Sequence, residues 1–300
     1  MTDHDIGVFG ATSFVGNHLL RLLTNQNLNV IAYSRRDVIN LPALNGVTWK
    51  HIEGNTKTHL STPSSFDSIP LIKKIQSIPF WISVAPIWTL PDHFDFLRIH
   101  GIKRIVALSS TSRFAKVDSS NPFEKDVARR LTEGEVELQI WANSNNIQWI
   151  ILRPTLIYGN GLDRNISSIA SFIRKFGFFP LFGDAAGLRQ PVHAEDVASA
   201  CITTLLQPQI SNQAYNISGG ETLPYRDMVK RIFTSLGLTP RLVNIPLWFF
   251  QFSISFLHIF PRFRHLTTAM AERMNQDLYF DHSDAKRDFG YSPRPFDPMG

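Results

Sequence analysis

The chain has 300 residues, a mass of 34.1 kDa and 43% apolar residues, which is enough to bury a core and excludes a disordered or fibrous protein. Its net charge of +5 is spread thinly and no nucleic-acid-binding motif accompanies it, so we predict no nucleic-acid partner. A single cysteine, Cys201, excludes an intrachain disulfide, and no Cys/His cluster has zinc-ligand spacing, so we expect no metal. The first residues lack a signal-peptide pattern, which predicts a cytoplasmic protein.

The first half of the chain alternates short β-rich apolar runs with helical patterns. The predicted strands are Ile6–Phe9, Leu28–Tyr33, Val47–His51, Phe80–Val84, Ile105–Ser109 and Ile147–Leu152. The predicted helices are Ser13–Thr24, Asp92–His100 and Pro122–Ser144. This alternation predicts an α/β protein with a Rossmann-type, doubly wound parallel sheet.

The pattern changes after residues 153 and 154 to longer loops, an aromatic cluster at 176–182 and scattered helices. The later helices are predicted at Glu195–Leu206, Tyr225–Leu236 and Leu247–Phe260, with a short strand at Ala214–Ile217. We therefore expect a first domain at 1–158 and a smaller, discontinuous C-terminal α/β lobe at 159–300, with 190–217 returning to the core.

A glycine-containing turn joins the first strand to the first helix, in the segment Gly10-Ala-Thr-Ser-Phe-Val-Gly16. Gly10 permits a tight turn, Gly16 lets the helix approach the sheet, and the helix N-terminus offers free N–H groups to a diphosphate. This predicts a dinucleotide site formed by Gly10, Thr12, Ser13, Phe14, Val15 and Gly16. The alternative is a turn with a purely structural role.

The second strand ends in Ser34-Arg35-Arg36, where a site that prefers NAD normally has an acidic residue for the ribose hydroxyls. Arginine at this place suits the 2′-phosphate of NADP. We therefore predict NADP(H) as cofactor, with NAD(H) as the second choice. Solvated loop charges are the alternative interpretation of Arg35 and Arg36.

Six segments in order along the chain resemble the short-chain dehydrogenase/reductase superfamily, in its extended, epimerase/dehydratase-like branch. They are GATSFVG at 10–16, SSTS at 109–112, LRPTLIYG at 152–159, RQPVHAEDVASA at 189–200, YNISGGE at 215–221 and GYSPRPF at 290–296. The resemblance implies an NAD(P)-binding large lobe, with Ser109 at the cofactor, and a C-terminal lobe that holds a small-molecule substrate. Ser13 stands where the family often has a middle glycine, and Asn55 where it often has an acidic residue near adenine.

The catalytic pair of this family, a tyrosine four residues before a lysine, occurs nowhere in the sequence. Its two places are taken by Val127 and Leu131. The remaining catalytic candidates are the hydroxyls of Ser110 and Thr111, which would polarise a substrate oxygen, and Tyr158 as an acid.

Arg113, Lys116 and Lys125 are further acid or electrostatic candidates. Several of the catalytic candidates have a structural alternative: serines at strand ends cap backbone groups, Tyr158 packs over the cofactor, and Lys125 is a surface charge. His193 is assigned to orienting its loop, and with Asp196 to capping the following helix, rather than to catalysis.

The most apolar segment is Leu247–Phe260. A helix of this length spans about 21 Å, short of the roughly 30 Å core of a bilayer, so we predict no transmembrane segment. Core packing, an apolar substrate pocket and peripheral membrane contact aided by Arg241, Arg262 and Arg264 are the three interpretations.

The sequence thus favours an atypical NAD(P)(H)-dependent oxidoreductase or epimerase-like enzyme acting on a carbonyl or hydroxyl substrate. The alternative is a non-catalytic dinucleotide-binding sensor or assembly subunit that has lost the Tyr/Lys pair. The substrate, the reaction direction and the oligomeric state stay open.

Overall fold

The computed structural model describes residues 5–38, 41, 43–52, 76–159, 161, 163, 165–248 and 268–298. The strands are β1 Ile6–Phe9, β2 Val30–Ser34, β3 Val47–His51, β4 Phe80–Ser83, β5 Arg104–Leu108, β6 Gln148–Pro154, β7 Ile157–Tyr158, β8 Phe179–Phe182, β9 Leu188–Arg189, β10 Val192–His193, β11 Gln213–Ile217, β12 Leu223–Pro224 and β13 Leu242–Ile245. The helices are α1 Phe14–Asn25, α2 Phe94–Ile99, α3 Ser112–Ala115, α4 Pro122–Ser144, α5 Ile166–Phe176, α6 Ala194–Leu206, α7 Tyr225–Ser235, α8 Thr268–Arg273 and α9 Ser283–Phe289. Asn55 and most of the predicted helix Leu247–Phe260 lie outside the described residues.

Seven strands form the central sheet in the order β11-β6-β5-β4-β1-β2-β3. Strand β1 pairs in parallel with both β2 and β4, so the chain leaves β1 toward one edge and later returns on its other side. Every residue of β1, β2 and β5 is buried, as expected for strands covered on both faces. The predicted doubly wound α/β fold is confirmed, and its switch point lies between the carboxyl ends of β1 and β4.

The centre of the sheet is fixed by a pair of residues of opposite size. Gly7 on β1 lies directly opposite Trp81 on β4. A Cβ built on Gly7 would lie 2.5 Å from Cδ2 of the fully buried Trp81 ring, whose Nε1–H donates to the carbonyl oxygen of Ile78 at 2.7 Å. The indole therefore occupies the space that a side chain at position 7 would need.

The chain folds into two compact units, and both are discontinuous in sequence. The first consists of Met1–Leu108, Glu133–Ile151 and Cys201–Gln213. The second consists of Ser109–Thr132, Leu152–Ala200 and Ala214–Gly300.

The first unit contains a buried cation at the end of α6. Arg104 on β5 is 2% exposed, and its guanidinium donates to the carbonyl oxygens of Thr204 and Gln207 at 2.7 Å each, and to that of Ile210. It also donates to Oε1 of Gln148 at 2.6 Å. These carbonyls include acceptors left unsatisfied where α6 ends, so the arginine acts as its C-terminal cap.

The second unit contains three small two-stranded sheets, β7 with β10, β9 with β12, and β8 with β13. Its core is built from α5, β8 and α7, with Ile173, Leu181, Ile232 and Phe233 all fully buried. Among the described helices of the chain, none combines the length and the apolar character that crossing a bilayer requires.

Candidate functional site

The turn after β1 lies at the switch point of the sheet. Gly10 has a φ of +74°, which favours glycine, and its carbonyl oxygen accepts the N–H of Ser13 at 2.8 Å. A Cβ built on Gly10 would lie 2.5 Å from the backbone nitrogen of Ala85, just after β4. The tight turn therefore requires glycine for both its conformation and its contact.

The N-terminus of α1 is open toward this turn. Ser13 caps the helix by accepting the N–H of Gly16 on its Oγ at 3.1 Å, a bond that leaves the hydroxyl proton of Ser13 unused. A Cβ on Gly16 would overlap the carbonyl oxygen of Gly10 and lie 2.5 Å from that of Ala11. The first turn of α1 carries no acidic residue.

Together, these features form a cradle of the kind that accepts a diphosphate, so the residues present fit a dinucleotide. Of the other predicted members, Val15 is buried beneath the turn, and Thr12 and Phe14 are half-buried in it.

The two predicted phosphate-binding arginines follow the carboxyl end of β2. Both Arg35 and Arg36 are exposed. The backbone N–H of Arg36 donates to Oγ of the buried Ser34 at 3.0 Å, which fixes the backbone where the strand ends. Two guanidinium groups are thus available beside the strand that neighbours the turn.

A residue that the sequence reasoning missed, His93, lies near Arg35. Its ring packs against Phe9 with centroids 5.0 Å apart, and its Nδ1 is buried with no hydrogen-bond partner among the described residues. Burial lowers the pKa of His93, the charge of Arg35 lowers it further, and Asp92 acts in the opposite direction. Nothing in the sequence around this histidine indicates that it lies near Arg35.

The serine cluster after β5 belongs to the second unit. Ser109 is buried, and its N–H donates to the carbonyl oxygen of Leu152 at 2.8 Å. Thr111 donates both its N–H and its hydroxyl to the carbonyl oxygen of Pro154, at 3.1 and 3.2 Å. Ser110 is only half-buried, and its Oγ accepts the N–H of Ser112 at 3.1 Å, which leaves its own proton out of that bond. Ser110 is therefore better placed than Thr111 to donate to a ligand.

Tyr158, the third catalytic candidate, is 1% exposed. Its hydroxyl group accepts the N–H of Asp297 at 3.1 Å and donates its own proton to the carbonyl oxygen of Pro295 at 3.5 Å. Burial raises the pKa of Tyr158 above its ordinary value. This geometry favours a structural role and gives the proposed acid role no support.

His193 is buried at the start of α6, where its Nδ1 accepts the N–H of Glu195 at 3.3 Å. This contact is of the orienting and capping kind that the sequence indicated. Asp196 does something different: it accepts the backbone N–H of Arg294 at 3.0 Å and its Nε–H at 2.9 Å. It therefore anchors the C-terminal segment.

A charged depression in the second unit begins at α3. Its centre is Glu124, whose carboxylate pairs with Arg273, lies 3.8 Å from Nζ of Lys116 and accepts the hydroxyl of Ser119 at 2.7 Å. Burial lowers the pKa of Lys116, and the charge of Arg273 lowers it further. The depression is lined by Phe114, Ala115, Asp118, Ser119, Ser120, Glu124, Glu272, Arg273 and Gln276.

The other polar candidates lie around this region. Arg113 packs its guanidinium over the ring of Phe114, 4.9 Å from the centroid, and Lys125 is exposed on α4. Val127 is half-buried and Leu131 buried on the same helix, so neither of the two places implied by the resemblance holds a proton-transferring group.

Residues 93–218 match the model of the NAD dependent epimerase/dehydratase family. The chain is 21% identical to UDP-glucose 4-epimerase of Vibrio cholerae, over 95% of this chain and 89% of that protein. It is 26% identical to NADH dehydrogenase (ubiquinone) 1 alpha subcomplex subunit 9, mitochondrial, of Dictyostelium discoideum, over 90% of this chain and 75% of that protein. A solved structure of MoeE5 in complex with UDP-glucose and NAD superposes with a TM-score of 0.68 at 19% identity, covering 97% of this chain and 94% of MoeE5. These comparisons confirm the resemblance inferred from the motifs: residues 93–218 are similar to the NAD dependent epimerase/dehydratase family, and the chain has the fold of the solved extended short-chain dehydrogenase/reductase-like epimerases.

Proposed function

We propose that the chain binds a nicotinamide dinucleotide at the turn between β1 and α1 and acts as an oxidoreductase or epimerase-like enzyme on a small carbonyl or hydroxyl substrate. One observation carries the proposal: neither Gly10 nor Gly16 has room for a Cβ, and together they hold an acid-free helix N-terminus at the switch point of the sheet. The similarity to a UDP-glucose 4-epimerase and to the NAD dependent epimerase/dehydratase family supports a reaction on a carbonyl or hydroxyl group.

The preferred cofactor in this proposal is NADP(H), with NAD(H) as the second choice. Arg35 and Arg36 would hold the 2′-phosphate at the end of β2. His93 lies near Arg35, and its buried Nδ1 has no hydrogen-bond partner among the described residues. It is a third polar group at this position.

A bound nicotinamide supplies hydride transfer, and the chain supplies binding and proton placement. Ser110 would polarise the substrate oxygen by donating a hydrogen bond from its hydroxyl group, and Ser109 and Thr111 hold the backbone that positions it. Lys116, just after α3, is our candidate for the proton that the missing tyrosine would have supplied, because a lowered pKa makes its ammonium a stronger acid. Substrate binding falls to the second unit, whose charged depression begins at Phe114.

A non-catalytic subunit is the second candidate, and two observations favour it. The sequence has no Tyr-x-x-x-Lys pair, and one relative that aligns along most of the chain is named as a subunit of NADH dehydrogenase. In this case the cradle would serve as a sensor or an assembly element.

Calorimetric titration of the purified chain with NADPH and NADH tests cofactor binding. Saturable binding together with turnover of a carbonyl or hydroxyl substrate that Ser110→Ala reduces supports the enzyme. Saturable binding without turnover across a broad panel, with a stable partner that co-purifies, supports the subunit. Absence of binding for both dinucleotides contradicts the whole proposal.

The cytoplasmic location inferred from the sequence stays part of this proposal. Fluorescence imaging of the chain with a C-terminal tag tests it.

A further inference from the structure

The C-terminal end of α5, in the second unit, carries three phenylalanine rings in mutual contact. Phe172 lies 4.6 Å from Phe176 and 5.8 Å from Phe178, measured between ring centroids, and the latter two are 6.4 Å apart. Phe176 is 48% exposed and Phe178 37% exposed. We call these three residues the aromatic tip.

The aromatic tip is a surface feature of a helix that is otherwise well packed. One face of α5 buries Ile166, Ala170 and Ile173 in the core of the second unit. The helix ends at Gly177, whose φ of +73° turns the chain between Phe176 and Phe178. Both exposed rings therefore flank a turn and lie outside the core of the second unit.

Every ionised group in the chain segments that form this region is a cation. Arg174 and Lys175 are exposed in the last turn of α5, and Nζ of Lys175 lies 5.2 Å from the centroid of Phe176. The N–H of Phe179 donates to the carbonyl oxygen of Arg241 at 2.9 Å, so the backbone of a third exposed cationic residue lies next to the strand that follows the tip. Residues 165–183 and 237–248 include no aspartate or glutamate.

We propose that the aromatic tip docks the protein on a membrane surface that contains anionic lipids. Exposed aromatic rings with adjacent Lys and Arg suit the boundary between headgroups and acyl chains, where the rings insert and the cations meet phosphates. Arg174 and Lys175 also lie at the negative end of the helix dipole, but that role requires no exposed phenylalanine beside them.

The surface is better suited to lipid than to a protein partner. Two partly exposed rings offer far less apolar area than the roughly 800 Å² that each side of a stable protein interface buries. Charge complementarity with a negatively charged surface needs no matching shape, and three exposed cations in two segments that carry no aspartate or glutamate provide it.

Sedimentation of the full chain with vesicles tests the proposal. The vesicles are phosphatidylcholine alone and phosphatidylcholine with phosphatidylserine. We expect the wild type to bind the second type only, with an affinity that decreases as salt is added. Phe176→Ser/Phe178→Ser should bind these vesicles at least about tenfold more weakly, and Lys175→Glu should also bind more weakly than the wild type. Thermal melting checks that each variant is folded.

The matched control is Phe123→Ser, which removes a phenylalanine that is 73% exposed at the start of α4, next to Glu124, Lys125 and Asp126. It should bind vesicles like the wild type. Three results would overturn the proposal: no binding to anionic vesicles, equal binding by the folded double variant, or an equal loss in Phe123→Ser. Loss of a co-purifying protein from the tip variant without any vesicle binding would show a protein surface instead.

Discussion

Gly16→Ala should weaken dinucleotide binding without unfolding the chain. The added methyl group would overlap the carbonyl oxygen of Gly10 and lie 2.5 Å from that of Ala11, whereas an ordinary contact between carbon and oxygen is about 3.3 Å or more. Both obstacles are backbone, so α1 and the turn must separate by roughly 1 Å, at an overpacking cost of about 1–3 kcal/mol. A shift of that size removes the helix N–H groups from hydrogen-bonding distance of a phosphate held by the turn. We expect the Kd for NADPH to rise about tenfold to a hundredfold, measured by calorimetry.

Gly46→Ala is the control for this experiment. Gly46 belongs to the same unit and has a φ of +78°, but a Cβ there would meet nothing closer than 3.7 Å. Its alanine variant should lower the melting temperature through a backbone cost of about 1 kcal/mol and leave the Kd unchanged. Folded Gly16→Ala with wild-type affinity, or equal losses of affinity in both variants, would refute the assignment of the cradle.

Three further predictions concern charged groups. Arg35→Ala/Arg36→Ala should raise the Kd for NADPH about tenfold or more while that for NADH changes less than about twofold; equal losses would contradict the 2′-phosphate role. Arg104→Met should cost about 3 kcal/mol of unfolding free energy in denaturant titrations, because several carbonyl oxygens at the end of α6 lose their donor; a cost below about 1 kcal/mol would refute the cap. Since burial and then Arg35 lower the pKa of His93 below its ordinary 6.5, the unfolded chain takes up that proton first on acidification. The contribution of His93 to stability should therefore be constant above about pH 7 and decrease toward pH 5, and His93→Gln should reduce the slope of stability against pH in thermal melts; an unchanged slope would contradict the assignment.

Local patterns determined how much of the fold could be predicted. β1, β3 and α4 begin and end at the predicted residues, because an apolar run between turn residues, or a long amphipathic stretch, contains its own boundaries. The small sheets of the second unit were not predicted. Strands such as β9 and β12 have two residues each, too few to show a period, and their pairing depends on distant partners.

The candidate site divides in the same way. The turn at Gly10–Gly16 is contiguous, so its conformation could be inferred from its own residues. The position of His93 beside Arg35 arises only when the sheet forms. The environment of Tyr158 could not be inferred either. Its hydroxyl is held by residues 295–297, a contact across more than 130 positions that no local motif reveals.

The pairing of Gly7 with Trp81 restricts how this sequence can evolve. A larger residue at position 7 would collide with the indole, at about 1–3 kcal/mol, and a smaller residue at position 81 would leave a cavity that costs about 3–5 kcal/mol. Each single change is therefore harmful while the double change can be neutral. Homologues with a side chain at the position of Gly7 should have lost the tryptophan opposite it, so the two positions are expected to covary although they lie 74 positions apart in the chain.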